Sequence, residues 1–162
     1  MARTVSVGGG RMVEWAILAL VVLGFVWVFG LYASRVHGQA ERAAVMTTLG
    51  TMRTAMVLEH LQVQVRGQAS AAPESSANPF TAMGAFPPNY AGEVQGRDLS
   101  QVAPGQWAFD GQCRCIGYKP LYATGLESKD GLDALWFQSR AQAGVGTLVP
   151  LDRYVWLGMA VE

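Results

Sequence analysis

Trp15-Ala16-Ile17-Leu18-Ala19-Leu20-Val21-Val22-Leu23-Gly24-Phe25-Val26-Trp27-Val28-Phe29-Gly30-Leu31-Tyr32-Ala33 is a run of nineteen apolar or small residues without a charge. At about 1.5 Å per helical residue it is about 28 Å long, close to the thickness of a bilayer's hydrocarbon core. A membrane-spanning helix is therefore the element around which the chain is expected to be built. Glu14 stands at its threshold, directly after Gly8-Gly9-Gly10-Arg11-Met12-Val13. A carboxylate at the border of an apolar medium is costly unless a cation meets it, so Glu14 should have a partner.

Of the 162 residues, those beyond the leader and the span suffice for one small globular head. The formal net charge is zero, so no excess of Lys and Arg points to nucleic acid or to a polybasic membrane patch. Gly24 and Gly30 are six apart and do not form the four-residue repeat of a helix-dimer motif. Arg3 and Arg11 precede the span while Arg35, His37 and Arg42 follow it, a balance that leaves orientation only loosely set.

Past the membrane the helix is expected to continue, because residues 34–66 hold no proline and many good helix formers. Val45, Leu49, Met52 and Met56, spaced four, three and four, draw an apolar stripe, which Leu58, Leu61 and Val65 are expected to widen. Thr47, Thr48, Thr51 and Thr54 interleave with that stripe and weaken intrinsic propensity, so packing must supply most of the helix's stability. Gly67 is a suitable C-cap residue.

Residues 68–105 read as an irregular region, too rich in Pro and Gly for a regular element, yet too apolar at Phe80, Met83, Phe86 and Tyr90 for a free linker. From residue 106 to 162 the pattern is that of short strands. Trp107 and Phe109 lead into an Asp110-Gly111 turn, with a return strand through Cys113, Cys115 and Tyr118. Leu135-Trp136-Phe137 and the run Tyr154–Val161 are two further strands, joined through the glycines of 143–147. The fold expected is α+β: a long N-terminal helix, membrane-spanning in its first half and amphipathic in its second, packed on a small antiparallel sheet. Its divisions are a leader at 1–9, the span at 10–34, an amphipathic helix at 35–67, the irregular region at 68–105 and the sheet at 106–162.

Chemistry is sparse. His37 and His60 sit 23 residues apart on one helix and cannot converge within one subunit, no phosphate-binding loop occurs, and no nucleophile is paired with a base, so neither an enzyme nor a cofactor is expected. Cys113 and Cys115 fall on one face of a strand, and their spacing closes an awkward small ring, so paired core thiols, reduced or facultatively oxidised, are favoured over a disulfide, which stays possible, or a metal site. Glu127, Asp130 and Asp133 offer carboxylates for calcium. A solvated turn is the favoured reading there, because Lys129 intervenes and the twelve-residue calcium-loop pattern is missing.

Gly9-Gly10-Arg11-Met12-Val13-Glu14, followed at once by the apolar run, resembles the N-terminal signature of type IV pilins and of the pseudopilins of type II secretion. The resemblance implies cutting by a prepilin peptidase between Gly9 and Gly10 on the cytoplasmic side, with N-methylation of the new terminus. It also implies an assembly role for Glu14, which in a fibre can neutralise a neighbour's amino terminus. Asn78-Pro79-Phe80, then Pro87-Pro88-Asn89-Tyr90-Ala91-Gly92-Glu93 and Pro104-Gly105-Gln106-Trp107-Ala108-Phe109-Asp110, in that order, look like pieces of pilin-like proteins with minor or accessory roles. The expected protein is then a single-pass inner-membrane subunit with a periplasmic head, whose partners are other pilin or pseudopilin subunits. Where the family begins its mature chain on Phe or Met, this chain has Gly10 and then Arg11. That cation favours the competing reading, a membrane-anchored periplasmic binding or scaffold protein outside any fibre. A third reading is a secreted enzyme released by a signal peptidase near Ala40, where Gly38-Gln39-Ala40 offers small residues, although the apolar run is long for a cleaved signal.

Overall fold

The computed structural model describes residues 8–65, 78–129, 131, 133–142 and 145–161. Residues 1–7 of the leader, Gly67, Asp130 and Ala143-Gly144 lie outside the described residues. By internal contacts the chain divides into two units, Met1–His37 and Gly38–Glu162. Helix α1 (Gly8–Val65) contributes to both.

In the first unit α1 is apolar on all sides and exposed from Trp15 to Tyr32, a pattern that in water has no packing partner to stabilise it. In the second unit α1 packs against a sheet, and the fold is α+β. Val45, Leu49 and Met52 are buried and Met56 is partly buried against the same core, as the spacing of the stripe predicts. Leu58, Leu61 and Val65 do not widen that face: they are 53%, 48% and 87% exposed. Met56 is the last helical side chain packed on the core, so the stripe outruns the surface that could cover it. Thr47, Thr48, Thr51 and Thr54 each donate a side-chain hydrogen bond to the carbonyl four residues back. Their hydroxyls are thereby satisfied within the helix, on its exposed side.

The sheet is mixed. Strands β1 (Tyr90–Val94), β2 (Gln106–Asp110), β3 (Cys115–Lys119), β5 (Leu135–Gln142) and β6 (Val145–Pro150) form five strands in the order β1-β2-β3-β5-β6. A second sheet of β4 (Leu126–Glu127), β7 (Tyr154–Trp156) and β8 (Met159–Val161) has the order β4-β7-β8. All pairs are antiparallel except β1 with β2, which is parallel.

Three expectations about residues 68–162 need correction. The region 68–105 is not wholly irregular, because Tyr90–Val94 is an edge strand whose register shifts at Gly92, where φ is 115°. A parallel pair requires a crossover, and the connection from β1 to β2 supplies one while placing Leu99 and Val102 over the sheet's second face. The run Tyr154–Val161 is not one strand but a hairpin. Leu157 and Gly158 both have positive φ, 53° and 75°, the pairing of angles that a two-residue turn between antiparallel strands requires. Gly146 and Thr147 likewise belong to β6 and are not part of a loop.

Burial on both faces explains the unbroken apolar runs of β2 and β3. Trp107, Phe109, Ile116, Tyr118 and Phe137 face the core shared with α1, whereas Ala108, Cys115 and Trp136 face the one closed by Leu99 and Val102. Ala108, Gly117 and Trp136 are successive partners across three strands, so the Trp136 ring lies in the space that Gly117 leaves. Asn78 caps the 3-10 turn Pro79–Met83 through Phe80 N–H and thereby seats Phe80 in the first core, 4.9 Å from the Tyr90 ring and 6.0 Å from that of Trp107. Phe86 stays 52% exposed but stacks on Tyr90.

Candidate functional site

The apolar half of α1 is the feature with the clearest chemical consequence. It is the one helix among the described residues long and apolar enough to cross a membrane, and none of its most apolar window is buried. Trp15, Phe25, Trp27, Phe29 and Tyr32 are each about 70% exposed. Surface of this size and apolarity is removed from water by lipid or by other helices. Gly10 lies in the first turn of α1 in free space, where an added Cβ would meet nothing within 4 Å. Arg11 and Glu14 follow within its first two turns, three residues apart. Glu14 is exposed, and among the described residues no hydrogen bond or ion pair to it is present within the chain.

The two cysteines depart from the favoured expectation of paired thiols: Cys113 and Cys115 are joined in a disulfide. Cys113 lies in the turn between β2 and β3 and not on a strand face, and Arg114 between them has a φ of 55°. That bend draws the two Cα atoms to 5.2 Å, less than the roughly 6.8 Å that two residues of extended strand would span, and within reach of an S–S bond.

Of the calcium candidates, Asp130 is outside the described residues. Glu127 and Asp133 line different surface clefts, Glu127 with Lys129 and Arg153, Asp133 with Arg97 and Lys119. No group of three metal-ligating side chains is present among the described residues. His37 is exposed and His60 lies 2.8 Å from the Gln64 amide nitrogen, one turn along the same helix.

Three polar anchors escaped the reading of the sequence. Asp110, buried at the end of β2, accepts from Gln112 N–H within its own turn and from Arg97 N–H across the crossover loop. Lys119 donates to the Leu99 and Val102 carbonyls and so fastens the same loop. Glu41, readable from sequence only as a helix former, accepts from Tyr118 O–H at 2.7 Å, Leu121 N–H at 2.6 Å and Tyr122 N–H at 2.8 Å. It ties α1 to β3 and to the chain that leaves β3. Asp110-Gly111 was legible as a turn; nothing local marks Glu41, because its partners lie about eighty positions away.

Burial raises the Tyr118 phenol well above its ordinary pKa of 10.0, and the hydrogen bond to Glu41 with that carboxylate's charge acts in the same direction. A folded-state pKa raised above the unfolded one gives stability that is fully present below the ordinary value and is lost as pH rises beyond it. In an ultraviolet titration one tyrosine is therefore expected to ionise only together with alkaline unfolding. Tyr118→Phe should lower the amplitude of the delayed ionisation by one tyrosine; an unchanged amplitude would show that the assignment is wrong.

Comparison of the chain with protein-family models, with curated proteins and with solved structures finds no match.

Proposed function

We propose that this protein is a pilin-like assembly subunit, held in the inner membrane by the first half of α1 with its head in the periplasm, and serving a type IV pilus or a type II secretion pseudopilus. The observation that carries the reading is the division of labour along α1. One half carries the exposed, charge-free stretch Trp15–Tyr32 with Arg11 and Glu14 just before it, and the other half supplies the buried stripe of an α+β head. Such a helix gives a subunit a surface for neighbours that needs no change in the head. Glu14 would set the register by meeting a neighbour's amino terminus, an interaction of real strength only where water is excluded. The partners in this reading are other pilin or pseudopilin subunits, with a prepilin peptidase acting at Gly9 and Gly10.

The second reading, an anchored periplasmic scaffold that never enters a fibre, is favoured by Arg11, a fixed cation where a processed terminus would be apolar. Intact mass and N-terminal sequence of the protein from its own membranes separate the two. A start at Gly10 that is lost when the prepilin peptidase is deleted from the host is the expected result, and an untrimmed start with and without the peptidase would leave the scaffold. Glu14→Ala is expected to insert normally yet lose co-purification with neighbouring subunits, and unchanged assembly would end the register role.

A further inference from the structure

Three segments of the head converge on the helical turn Gly38–Arg42. The loop after β3 arrives through Leu121 N–H and Tyr122 N–H on the Glu41 carboxylate. Strand β8 arrives through its Ala160 carbonyl, which accepts from the Arg42 guanidinium at 2.9 Å. The β7–β8 turn arrives through Leu157, whose Cδ1 is 3.4 Å from where a Cβ on Gly38 would be; Gly38 itself is buried. At this place the head does not show a polar rim. Leu121 is 58% exposed, Met159 44% and Tyr122 37%, and Leu157 is half-buried. Turns and loop tips facing water favour Gly, Asn, Asp and Ser, so Leu-Tyr in one segment and Leu-Gly-Met in another are unusual choices.

We propose that this rim of Leu121, Tyr122, Leu157 and Met159 is a second membrane contact, seated in the headgroup layer of the bilayer that takes the Trp15–Ala33 run. The proposal rests on the membrane reading above and adds a lipid-binding surface on the head. Covalent continuity selects the occupant: Gly38 is five residues beyond Ala33, so whatever path the chain takes the rim's base is within about 18 Å of the end of the apolar run. One leaflet's headgroup layer is about 5–7.5 Å thick, so a tether of that length leaves the rim within reach of the layer where amphipathic side chains are most at home. The side chains suit that layer. Tyr122 has an apolar ring and a polar tip, Leu121 and Met159 are apolar, and Arg42 at the rim's base adds a cation to the head at this place. The acid nearest the rim, Glu41, has its oxygens occupied by three donors and therefore opposes anionic lipid less than a free carboxylate would. Seating the rim would restrict how the head swings about its anchor.

The test uses the full chain in vesicles of phosphatidylethanolamine and phosphatidylglycerol. Single cysteines introduced as L121C, M159C, Q95C and W27C carry an environment-sensitive fluorophore, the native cysteines being held in their disulfide. Nitroxide on the lipid headgroup is expected to quench labels at positions 121 and 159 several-fold more than at the exposed control 95, while nitroxide on the acyl chain quenches position 27. If 27 is quenched but 121 and 159 behave like 95, the chain is anchored and the rim proposal is wrong. If 27 is not quenched, the membrane reading itself fails and the proposal falls with it. Shielding of 121 and 159 that appears only at high protein-to-lipid ratio would assign the rim to contact between subunits and overturn the lipid assignment.

Discussion

Leu49→Ala is expected to destabilise the head by about 2–5 kcal/mol, whereas Leu61→Ala on the same helix should change it by less than about 0.5 kcal/mol. Leu49 is fully buried between α1 and the sheet, and truncating it removes apolar contact while leaving a cavity that rigid strands cannot close. A small domain has a total stability of about 5–15 kcal/mol, so the first substitution consumes a large part of it. Leu61 is 48% exposed and belongs to the stretch of helix that outruns the core. Denaturant unfolding of the detergent-solubilised protein, followed by near-ultraviolet circular dichroism, measures both. Equal losses from the two would mean that the helix is covered as far as Leu61, and that the core ends further along α1 than Met56.

Gly117→Val is expected to cost at least about 1–3 kcal/mol, the usual range for overpacking, and to change the tryptophan environment of the head. A Cβ at Gly117 would stand 2.7, 2.7 and 2.9 Å from three atoms of the Trp136 ring. Those distances are too short for any real contact, and neither partner can easily yield. Gly117 is held in β3 between β2 and β5, and Trp136 is 2% exposed in a filled core. Gly146→Ala makes the informative contrast. Its Cβ would press on the terminal methyl of Met56, the far end of a flexible side chain that can rotate away, so its cost should be the smaller of the two. A Gly117→Val protein with unaltered unfolding and unaltered near-ultraviolet bands would show that the ring is not packed on this glycine.

The parts of the fold that sequence reading reached are those made by neighbours in the chain. The helical stripe Val45-Leu49-Met52-Met56 follows from the 3.6-residue period, and the β2–β3 hairpin from Asp110-Gly111 between apolar runs. The same reasoning overextended the stripe to Leu58, Leu61 and Val65, since a period reports which side of a helix is apolar and not how far its partner reaches. It missed β1 because Pro87, Pro88 and Gly92 are turn formers by local preference, and only the side of β2 gives Tyr90–Val94 a ladder to join. It joined β7 to β8 because Leu157 is an apolar residue in a position of positive φ, held there by its seat over Gly38 and Gly125.

The same division holds for the candidate sites. By itself the sequence determined the charge-free run Trp15–Ala33, the acid at Glu14 and the glycines before it, because these are matters of composition and spacing along one local helix. Tertiary structure decided the closing of Cys113 with Cys115 around the Arg114 bend, the three-donor anchor at Glu41 and the apolar rim of Leu121, Tyr122, Leu157 and Met159. The anchor and the rim are assembled from segments some forty to eighty positions apart in the chain. Long-range contacts of that kind form only once a shared core has offset the entropy of bringing them together, and no local pattern of residue types encodes them.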